Sequence, residues 1–373
     1  MGIRSYFSSM ISRDNYDEVM KYLSVAETQH APMFDFDNAP AELKELIDVA
    51  ETPRSPERSK WLNEYASKSW SVPDGEAEIL LAQRHLNAVR YLNRYLRQAN
   101  HKLKQDGYFV CSFDTAQKRR AQIFSKYPRF IAYIVYFIDF IWHRVFPKLK
   151  LTQRFYYFCT KKVRKVFPRP EMLGRLYYCG FEVVSEKYIH DRYCVIAQKK
   201  RLPSTDQHTY GMLVKLRRIG KGGNYFNVFK FRTMYAYSEF LQTYVYENNN
   251  LDVGGKFNDD YRVTEWGRFL RKLWIDEWPM FINILKGQMK LVGVRPLSNQ
   301  YFNLYTPEMQ ELRIKVKPGL LPPFYVDMPE TLEEIQESEK VYIESYLEHP
   351  FKTDWKYFWK IVFNILFKGK RSK

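Results

Sequence analysis

The chain has 373 residues, a formal net charge of +17 and 17% aromatic residues. This aromatic content excludes a disordered tail protein, and the length allows two or three domains with a sizeable core. The four cysteines form no CxxC pair and have no histidine partners nearby, which disfavours a zinc site or a disulfide framework and fits a reducing cytoplasm. The first ten residues are too polar for the apolar region of a secretory signal, so we expect none.

Residues 1–75 are predicted to form a polar helical region. Short helices are expected at Ala41–Ala50 and Ser59–Ser67, between proline-containing breaks. A long helix is then predicted from Gly75 to about Lys104, because apolar residues recur along it at helical spacing.

Three strands are predicted in the next part of the chain. They cover Asp106–Phe113, Gly180–Glu186 and Arg192–Lys199, and the last two are joined by a short connection. This order of helix, strand, insertion and strand pair resembles the C-terminal half of a Rossmann-like methyltransferase over about residues 80–200. We therefore predict a degenerate Rossmann-like domain at residues 76–201.

The methyltransferase-like segment has no glycine-rich loop that could approach a cofactor closely. The glycines of the first 200 residues are Gly2, Gly75, Gly107, Gly174 and Gly180. No GxGxxG pattern can be formed from them. The resemblance therefore implies a non-catalytic remnant, and we expect residues 1–200 to bind no S-adenosylmethionine.

The positive charge is concentrated in residues 117–220. That segment holds 23 Lys and Arg against six acidic residues, a difference equal to the whole net charge. Such a segment is typical of proteins with an anionic partner, which could be a nucleic acid, an anionic lipid surface or a phosphorylated substrate. A solvated basic face without a partner is the alternative.

The segment Phe130–Phe146 is the longest apolar run. Its 17 residues are interrupted by Asp139 and His143, and as a helix they would extend for only about 26 Å, too short for a comfortable membrane crossing. Aromatic content and flanking basic residues favour a helix lying in a membrane surface. A buried core helix is the alternative.

After a linker at Pro203–Thr205, three blocks of residues follow in order and contain the groups suited to chemistry. The first, Arg218–Met234, has glycines suited to a hairpin and a strand that ends at Lys230 and Arg232. The second, Asn258–Lys272, is a turn that leads into a basic helix. The third follows directly and contains two adjacent carboxylates.

The third block places Asp276 and Glu277 at the start of a predicted apolar helix that ends near Gly287. One face of this helix, formed by Trp278, Phe281, Ile282 and Leu285, is predicted to be buried. Carboxylates at a helix start among basic residues suit phosphate chemistry, as metal ligands or as a nucleophile. A capped helix with a solvated acid pair is the alternative.

The ordered blocks resemble the bacterial sugar transferase family, the monotopic polyprenol-phosphate phosphoglycosyl transferases, over about residues 203–373. The shared pattern includes R-x-G-x-x-G-x-x-F-x-x-x-K-F-R from Arg218 and R-K-x-x-x-D-E-x-P-x-x-x-N-x-L-x-G-x-M from Arg271, followed by V-G-x-R-P. The resemblance implies an α+β phosphoglycosyl transferase domain at residues 202–373. Together with the Rossmann-like remnant, it makes the whole chain an α/β protein.

The family resemblance also implies an activity: transfer of a phospho-sugar from a UDP-sugar to a polyprenol phosphate, with release of UMP, to initiate lipid-linked glycan assembly. By motif, Asp276 would be the nucleophile that forms a phosphosugar-aspartyl intermediate, and Glu277 would assist it. Both would help to hold Mg²⁺. The positions that would bind substrate are Arg218, Lys230, Arg232, Arg262, Arg271, Arg295 and Pro296.

This chain departs from the family pattern before the first block, where polar residues replace the usual hydrophobic re-entrant helix. Phe130–Phe146 and the tail Tyr357–Lys373 are the candidate substitutes for membrane attachment. We expect a monotopic or peripheral protein at the cytoplasmic face of the inner membrane, bound to an anionic membrane surface and to no nucleic acid, with a homo-oligomer left open. A non-catalytic scaffold or nucleotide-sugar-binding protein is the alternative function.

Overall fold

The computed structural model describes residues 39–53, 55–147, 150–160, 165–205, 211–248, 260–329 and 331–367. Its described residues fall into two units. The first contains residues 39–205, 235–248 and 260–262, and the second contains 211–234 and 263–367. Helices and strands are mixed throughout the described chain, as the predicted α/β class requires. Residues 1–38 of the predicted polar region 1–75 lie outside the described residues, as do the motif residues Asn258 and Asp259.

The first unit is built on a four-stranded sheet with the order β1-β2-β4-β3. Strands β1 and β2 are parallel, whereas β4 is antiparallel to both β2 and β3. The bounds of its strands and helices are α1 Ala41–Glu51, α2 Pro56–Ser71, β1 Ala77–Leu81, α3 Leu92–Lys102, β2 Leu103–Phe113, α4 Ala116–Lys126, α5 Arg129–Phe140, α6 Lys150–Cys159, α7 Arg169–Tyr178, β3 Phe181–Ile189, β4 Arg192–Lys199 and α8 Gln242–Asn248.

Helices cover both faces of this sheet. On one face, Leu46 of α1 packs with Ile79 and Ile196 of the sheet. On the other face, α3 and α7 pack with Leu80 and Phe109 in the main core. Residues 235–248 join that same core through buried side chains that include Tyr244. They pack with the first unit although they lie beyond the predicted domain boundary at residue 202.

Most predicted elements of the first unit are confirmed, namely the two N-terminal helices, the strand ending at Phe113 and the later strand pair. The long helix predicted from Gly75 to Lys104 is wrong. Strand β1 and a 3-10 turn, Leu86–Ala88, occupy its first half, and only α3 is helical. The run of apolar residues at 79–81 fits either structure, and parallel pairing with β2 makes it a strand buried on both faces.

The segment Phe130–Phe146 is helical, as α5 and a following π-helical turn, Ile141–Val145. It is not a core helix. Within α5, only Ala132 is buried, and Phe130, Phe137 and Ile138 are exposed. Among the described residues, no helix is both long and apolar enough to cross a membrane.

The second unit contains an antiparallel hairpin, β5–β6, and a short parallel pair, β7–β8. Its core forms where α14 and α15 pack on β7, with Tyr342 and Ile361 fully buried. The bounds of its strands and helices are β5 Leu213–Ile219, β6 Tyr225–Phe231, α9 Glu265–Lys272, α10 Phe281–Leu285, β7 Lys290–Val292, α11 Asn299–Phe302, α12 Pro307–Ile314, β8 Gly319–Leu321, α13 Phe324–Asp327, α14 Leu332–Glu348 and α15 Pro350–Phe367.

Candidate active site

The two carboxylates lie in a 3-10 turn, Ile275–Met280, between α9 and α10. Asp276 is buried, with 9% of its surface exposed, and Glu277 is half-buried. The prediction that Asp276 lies near the start of a helical segment is confirmed, since the turn begins after Trp274, which has a left-handed backbone with φ of 57°. The prediction that the helix ends near Gly287 is confirmed, since α10 ends at Leu285 and Gly287 has a φ of 69°.

The face of this segment that was predicted to be buried is exposed. Trp278, Phe281, Ile282 and Leu285 are 60%, 50%, 41% and 89% exposed. The segment instead buries its other side, where Met280 packs with Val228 and Met289. The periodicity therefore identified an amphipathic segment correctly but assigned the wrong face to the core.

Asn283 explains why that other side is buried. It is fully buried on α10, where its Oδ1 accepts a hydrogen bond from the Phe229 backbone N–H at 3.1 Å. Its Nδ2 donates to the Asn227 carbonyl at 2.7 Å and to Gln288 Oε1 at 2.9 Å. These bonds fix α10 against β6, because a buried amide left unbonded would cost about 1–3 kcal/mol.

Lys230 is brought to the carboxylates by the same packing. It lies at the end of β6, and its Nζ donates to Glu277 Oε1 at 2.6 Å. Both side chains are half-buried, so this ion pair is shielded more than a surface pair. Lys230, which the family resemblance placed among substrate-binding residues, therefore lies beside the acid pair.

The electrostatic environment of Asp276 works in two directions. Burial and then the neighbouring Glu277 carboxylate raise the pKa of Asp276. Lys230 and Arg271 oppose that rise in pKa because they favour the charged carboxylate. The Asp276 carboxyl thus lies close to two cations that favour its ionised form, although burial and Glu277 oppose ionisation. Such surroundings suit a carboxylate that attacks an anionic phosphoryl centre.

Arg271 is oriented by Thr233, a buried residue that follows β6. The Nε atom of Arg271 donates a hydrogen bond to Thr233 Oγ1 at 2.9 Å. The Thr233 carbonyl in turn accepts a hydrogen bond from the Thr264 backbone N–H at 2.9 Å, and Thr264 caps α9 by accepting from the Gly267 N–H. The start of α9 and the end of β6 are thus joined around the arginine.

Gly267 makes this close approach feasible. A Cβ atom at that position would lie 1.9 Å from the Thr233 carbonyl oxygen. We expect Gly267→Ala to lower the free energy of unfolding by about 1–3 kcal/mol and to reduce turnover, since the clash displaces the residue that orients Arg271. Denaturant unfolding measures the loss. Gly211→Ala, where the nearest atom would lie at 3.6 Å, is the matched control, and equal stability of the two variants would contradict the argument.

Arg218 and Arg295 form a second cationic group. Burial and then the nearby Arg295 guanidinium lower the pKa of Arg218. Within the described residues neither side chain forms an ion pair with a carboxylate, so an anion between them would relieve their repulsion. The Arg295 backbone is held by Arg313, because Arg313 Nη2 donates a hydrogen bond to the Arg295 carbonyl at 2.5 Å. Arg313 itself forms a buried ion pair with Glu339. Pro296 follows Arg295 in the sequence and is half-buried.

Tyr325 is a candidate site residue that the sequence analysis missed. It lies on α13, where its ring packs on Trp274 with 5.1 Å between centroids. Burial raises the pKa of Tyr325 to about 12, with further contributions from Glu277 and Asp276 that raise it and from Arg295 that lowers it. Its hydroxyl is therefore protonated at neutral pH, near both carboxylates and Arg295.

The remaining candidates have different surroundings. Arg232, at the end of the first block, donates from its Nε to the Gly211 carbonyl at 3.1 Å. Arg262 belongs to the first unit, where it is buried and makes two hydrogen bonds of 2.8 Å to the Asp260 carboxylate. Contact of either arginine with a substrate phosphate stays a prediction.

A family match covers the second unit and the part of the first unit that lies within the same stretch of sequence. Residues 202–368 match the family model described as bacterial sugar transferase. The match covers 167 of the 373 residues of the chain.

The curated relatives that the chain matches are also named as sugar transferases or sugar phosphotransferases. The chain is 42% identical over 103 residues to the uncharacterized sugar transferase EpsL of Bacillus subtilis, covering 28% of this chain and 45% of that protein. It is 33% identical over 109 residues to the undecaprenyl-phosphate galactose phosphotransferase of Salmonella typhimurium, covering 28% and 23%. It is 36% identical over 110 residues to the UDP-glucose:undecaprenyl-phosphate glucose-1-phosphate transferase of Caulobacter vibrioides, covering 29% and 38%. The chain thus spans less than half of the length of these relatives.

Among solved structures, the chain matches the 16S rRNA N2 G1207 methyltransferase RsmC of T. thermophilus, in complex with AdoMet and guanosine, at 10% identity. The match covers 44% of this chain and 30% of that one with a TM-score of 0.18, too low to support a structural argument.

Proposed function

We propose that this protein transfers a phospho-sugar from a UDP-sugar to a polyprenol phosphate. In the first step a carboxylate oxygen of Asp276 attacks the phosphorus next to the sugar. The phosphoanhydride bond breaks, UMP leaves, and a phosphosugar-aspartyl intermediate remains. In the second step a phosphate oxygen of the polyprenol phosphate attacks the same phosphorus and displaces Asp276, which gives the polyprenol diphosphate sugar and the free carboxylate.

The observation that carries this proposal is the buried Asp276 among Lys230, Arg271 and the Glu277 carboxylate. Attack of one anion on another requires nearby cations, and these are fixed by the fold through Asn283 and Thr233. The curated relatives support the substrates, since two of them are named for transfer to undecaprenyl phosphate and one for a UDP-sugar donor. Arg218 and Arg295 would bind the phosphates of the donor.

The site also fits Mg²⁺. Among the described residues, no group of three or more His, Cys, Asp and Glu side chains is placed to hold a metal ion. Two carboxylates are nevertheless sufficient, because Mg²⁺ is commonly bound through one or two carboxylates together with substrate phosphates and waters. Asp276 and Glu277 would hold the ion, which when bound would neutralise charge on the diphosphate.

We further propose that the protein acts at the cytoplasmic face of the inner membrane. Apolar side chains are exposed beside the carboxylates, on α9 and in the 3-10 turn Ile275–Met280, and they include Trp266, Phe269 and Trp278. A polyprenol phosphate must reach the site from a bilayer, and exposed apolar surface of this kind marks sites of membrane contact. The basic segment 117–220 would add electrostatic attraction to anionic lipids.

The first unit is proposed to be a Rossmann-like remnant without cofactor chemistry. Support comes from the parallel pair β1–β2, connected through α3, and from the following strand pair that adds β4 beside β2. The glycines of this unit form no phosphate-binding loop. Its basic surface would then serve to hold the second unit near the bilayer.

The direct test is UMP release from a panel of UDP-sugars, with and without undecaprenyl phosphate. We expect release from at least one donor, with net turnover dependent on the acceptor. Absence of release from every donor, with the fold intact, would favour the alternative of a non-catalytic scaffold or nucleotide-sugar-binding protein. A salt titration against RNA and liposomes separates membrane binding from nucleic-acid binding.

Tyr325 gives a sharper test of the site geometry. We expect Tyr325→Phe to lower turnover by about tenfold to a hundredfold, because the variant has no hydroxyl near the carboxylates to donate a hydrogen bond to a charged group of the substrate. The ring and its packing on Trp274 are kept, so the thermal unfolding temperature should not change. Tyr301→Phe, at another tyrosine of the second unit, is the control. Equal turnover of the Tyr325 variant and wild type would remove Tyr325 from the site.

A further inference from the structure

The first unit contains a cavity of about 420 Å³ that the proposed transferase activity does not use. It lies between α1, α2 and the sheet. Its walls include Leu81, the last residue of β1, residues 82–85 that follow it, and residues 110–112 near the end of β2. In open sheets with parallel strands, ligands bind outside the carboxyl ends of those strands. This cavity has that position.

The floor and the rim of the cavity differ in chemistry. The floor is apolar and includes Leu46, Ile47 and Ile196. The rim is basic, and the cationic or ionisable side chains on it are Arg58, Arg84, His85, Lys187, His190 and Arg192. No Asp or Glu of the described chain lines the cavity.

Nearby acids cancel part of this positive rim, but among the described residues Arg84 and Arg192 form no ion pair with them. Glu51 is paired with Lys187. Asp114 and Asp191 both accept hydrogen bonds from Lys118, which is buried. Arg84 and Arg192 are exposed at the entrance. An apolar floor with a few cationic groups at its edge is the usual composition of a small-molecule pocket, and 420 Å³ lies within the range of about 300–1,000 Å³ for such pockets.

We propose that this cavity binds a phosphate monoester with an apolar or flat body, with the body on the Ile47–Ile196 floor and the phosphate at Arg84 and Arg192. Two sources share this chemistry: a nucleoside monophosphate and a short prenyl phosphate. The cavity is a binding site in the first unit and is separate in sequence from the carboxylates of the second unit. A basic rim also disfavours S-adenosylmethionine, which carries a sulfonium cation.

The test uses the full chain with labelled isoleucine methyl groups, which report where a ligand binds. Ile47, Ile189 and Ile196 line the cavity, whereas Ile275 and Ile282 lie in the second unit beside the carboxylates. UMP and geranyl phosphate are titrated separately, with uridine, inorganic phosphate and S-adenosylmethionine as comparisons. We expect saturable shifts of the three cavity methyls with UMP or geranyl phosphate, and at least about tenfold weaker binding of each comparison compound.

Three variants make the result decisive. Arg84→Ala combined with Arg192→Ala should weaken binding at the cavity methyls by at least about tenfold, or about 1.4 kcal/mol. Lys60→Ala combined with Lys68→Ala, on the exposed side of α2, is the matched control and should leave binding unchanged. Ala82→Trp, which fills the cavity, should abolish the shifts. Absence of cavity shifts with both ligands, or equal affinity of the arginine variant and the control, would overturn the proposal.

Discussion

Asp276→Asn is expected to reduce turnover by at least about a thousandfold, because an amide cannot form the phosphosugar ester. The substitution is nearly isosteric, so the fold should be kept. A covalent phosphosugar adduct should be trapped on the wild type, by rapid quenching and mass spectrometry of the peptide that contains Asp276, and should be absent from the variant. Undiminished UMP release by the variant would exclude Asp276 as the nucleophile.

The same variant should be more stable than the wild type at neutral pH. Burial and Glu277 raise the pKa of Asp276 in the folded state, so ionising this carboxyl is less favourable there than in the unfolded chain. The associated stability is present below the ordinary Asp pKa of about 3.9 and is lost as the pH rises through the raised pKa. Asp276→Asn removes the titrating carboxyl group, so the variant does not lose this stability as the pH rises. Its unfolding temperature should exceed that of the wild type at pH 7, and the difference should shrink as the pH falls.

Turnover of the wild type should rise with pH through the same raised pKa, because only the ionised carboxylate attacks. Glu277→Gln is the companion variant. It should also be impaired, with a changed Mg²⁺ requirement, since it removes the partner of Lys230 while keeping Asp276. If the Glu277→Gln enzyme had wild-type turnover and metal dependence, the proposal that Glu277 assists Asp276 would be contradicted.

The candidate site was largely predictable because its residues lie in ordered motifs. Asp276, Glu277 and Arg271 follow one another closely in sequence, so any fold of that segment keeps them near each other. Lys230 was found through the first block, and the hairpin β5–β6 places it against Glu277. Asn283 was visible as a fixed position of the family pattern, but its buried hydrogen bonds to β6 could not be inferred from spacing alone.

The remaining errors have a common physical cause. A pattern of apolar residues in the sequence does not show which other part of the protein, if any, packs on them. Helical periodicity at residues 278–285 is equally compatible with burial in the protein and with exposure beside the site, and Asn283 selects the second. The apolar residues at 79–81 fit a helix or a strand, and the non-local pairing of β1 with β2 makes them a strand. Tyr325 comes near Asp276 only through tertiary packing, for which the sequence holds no short-range signal.

Helix α15 has an exposed aromatic stripe that we expect to insert into lipid. Aromatic residues are exposed along it at intervals of four, and they are Phe351, Trp355, Trp359, Phe363 and Phe367. The opposite side is packed in the core through Tyr357 and Ile361. A stripe of exposed Trp and Phe beside lysines is typical of a helix that lies in a membrane interface. The exposed apolar side of α5 in the first unit has the same character, with Phe130, Phe137 and Ile138.

If these surfaces insert into lipid, the protein should sediment with membranes and resist a wash at about 1 M salt, where the Debye length is only about 3 Å. Replacing Phe351, Trp355 and Trp359 by serine should lower membrane partitioning by at least about a thousandfold, because burying each large apolar side chain contributes about 1.5–3 kcal/mol. Serine at Phe130, Phe137 and Ile138 tests α5 in the same assay. Glutamine at Lys352, Lys356 and Lys360 is the matched control, which removes charge from α15 and leaves its aromatic stripe. Complete release of the wild type by salt would show instead that the basic segment 117–220 holds the protein at the membrane.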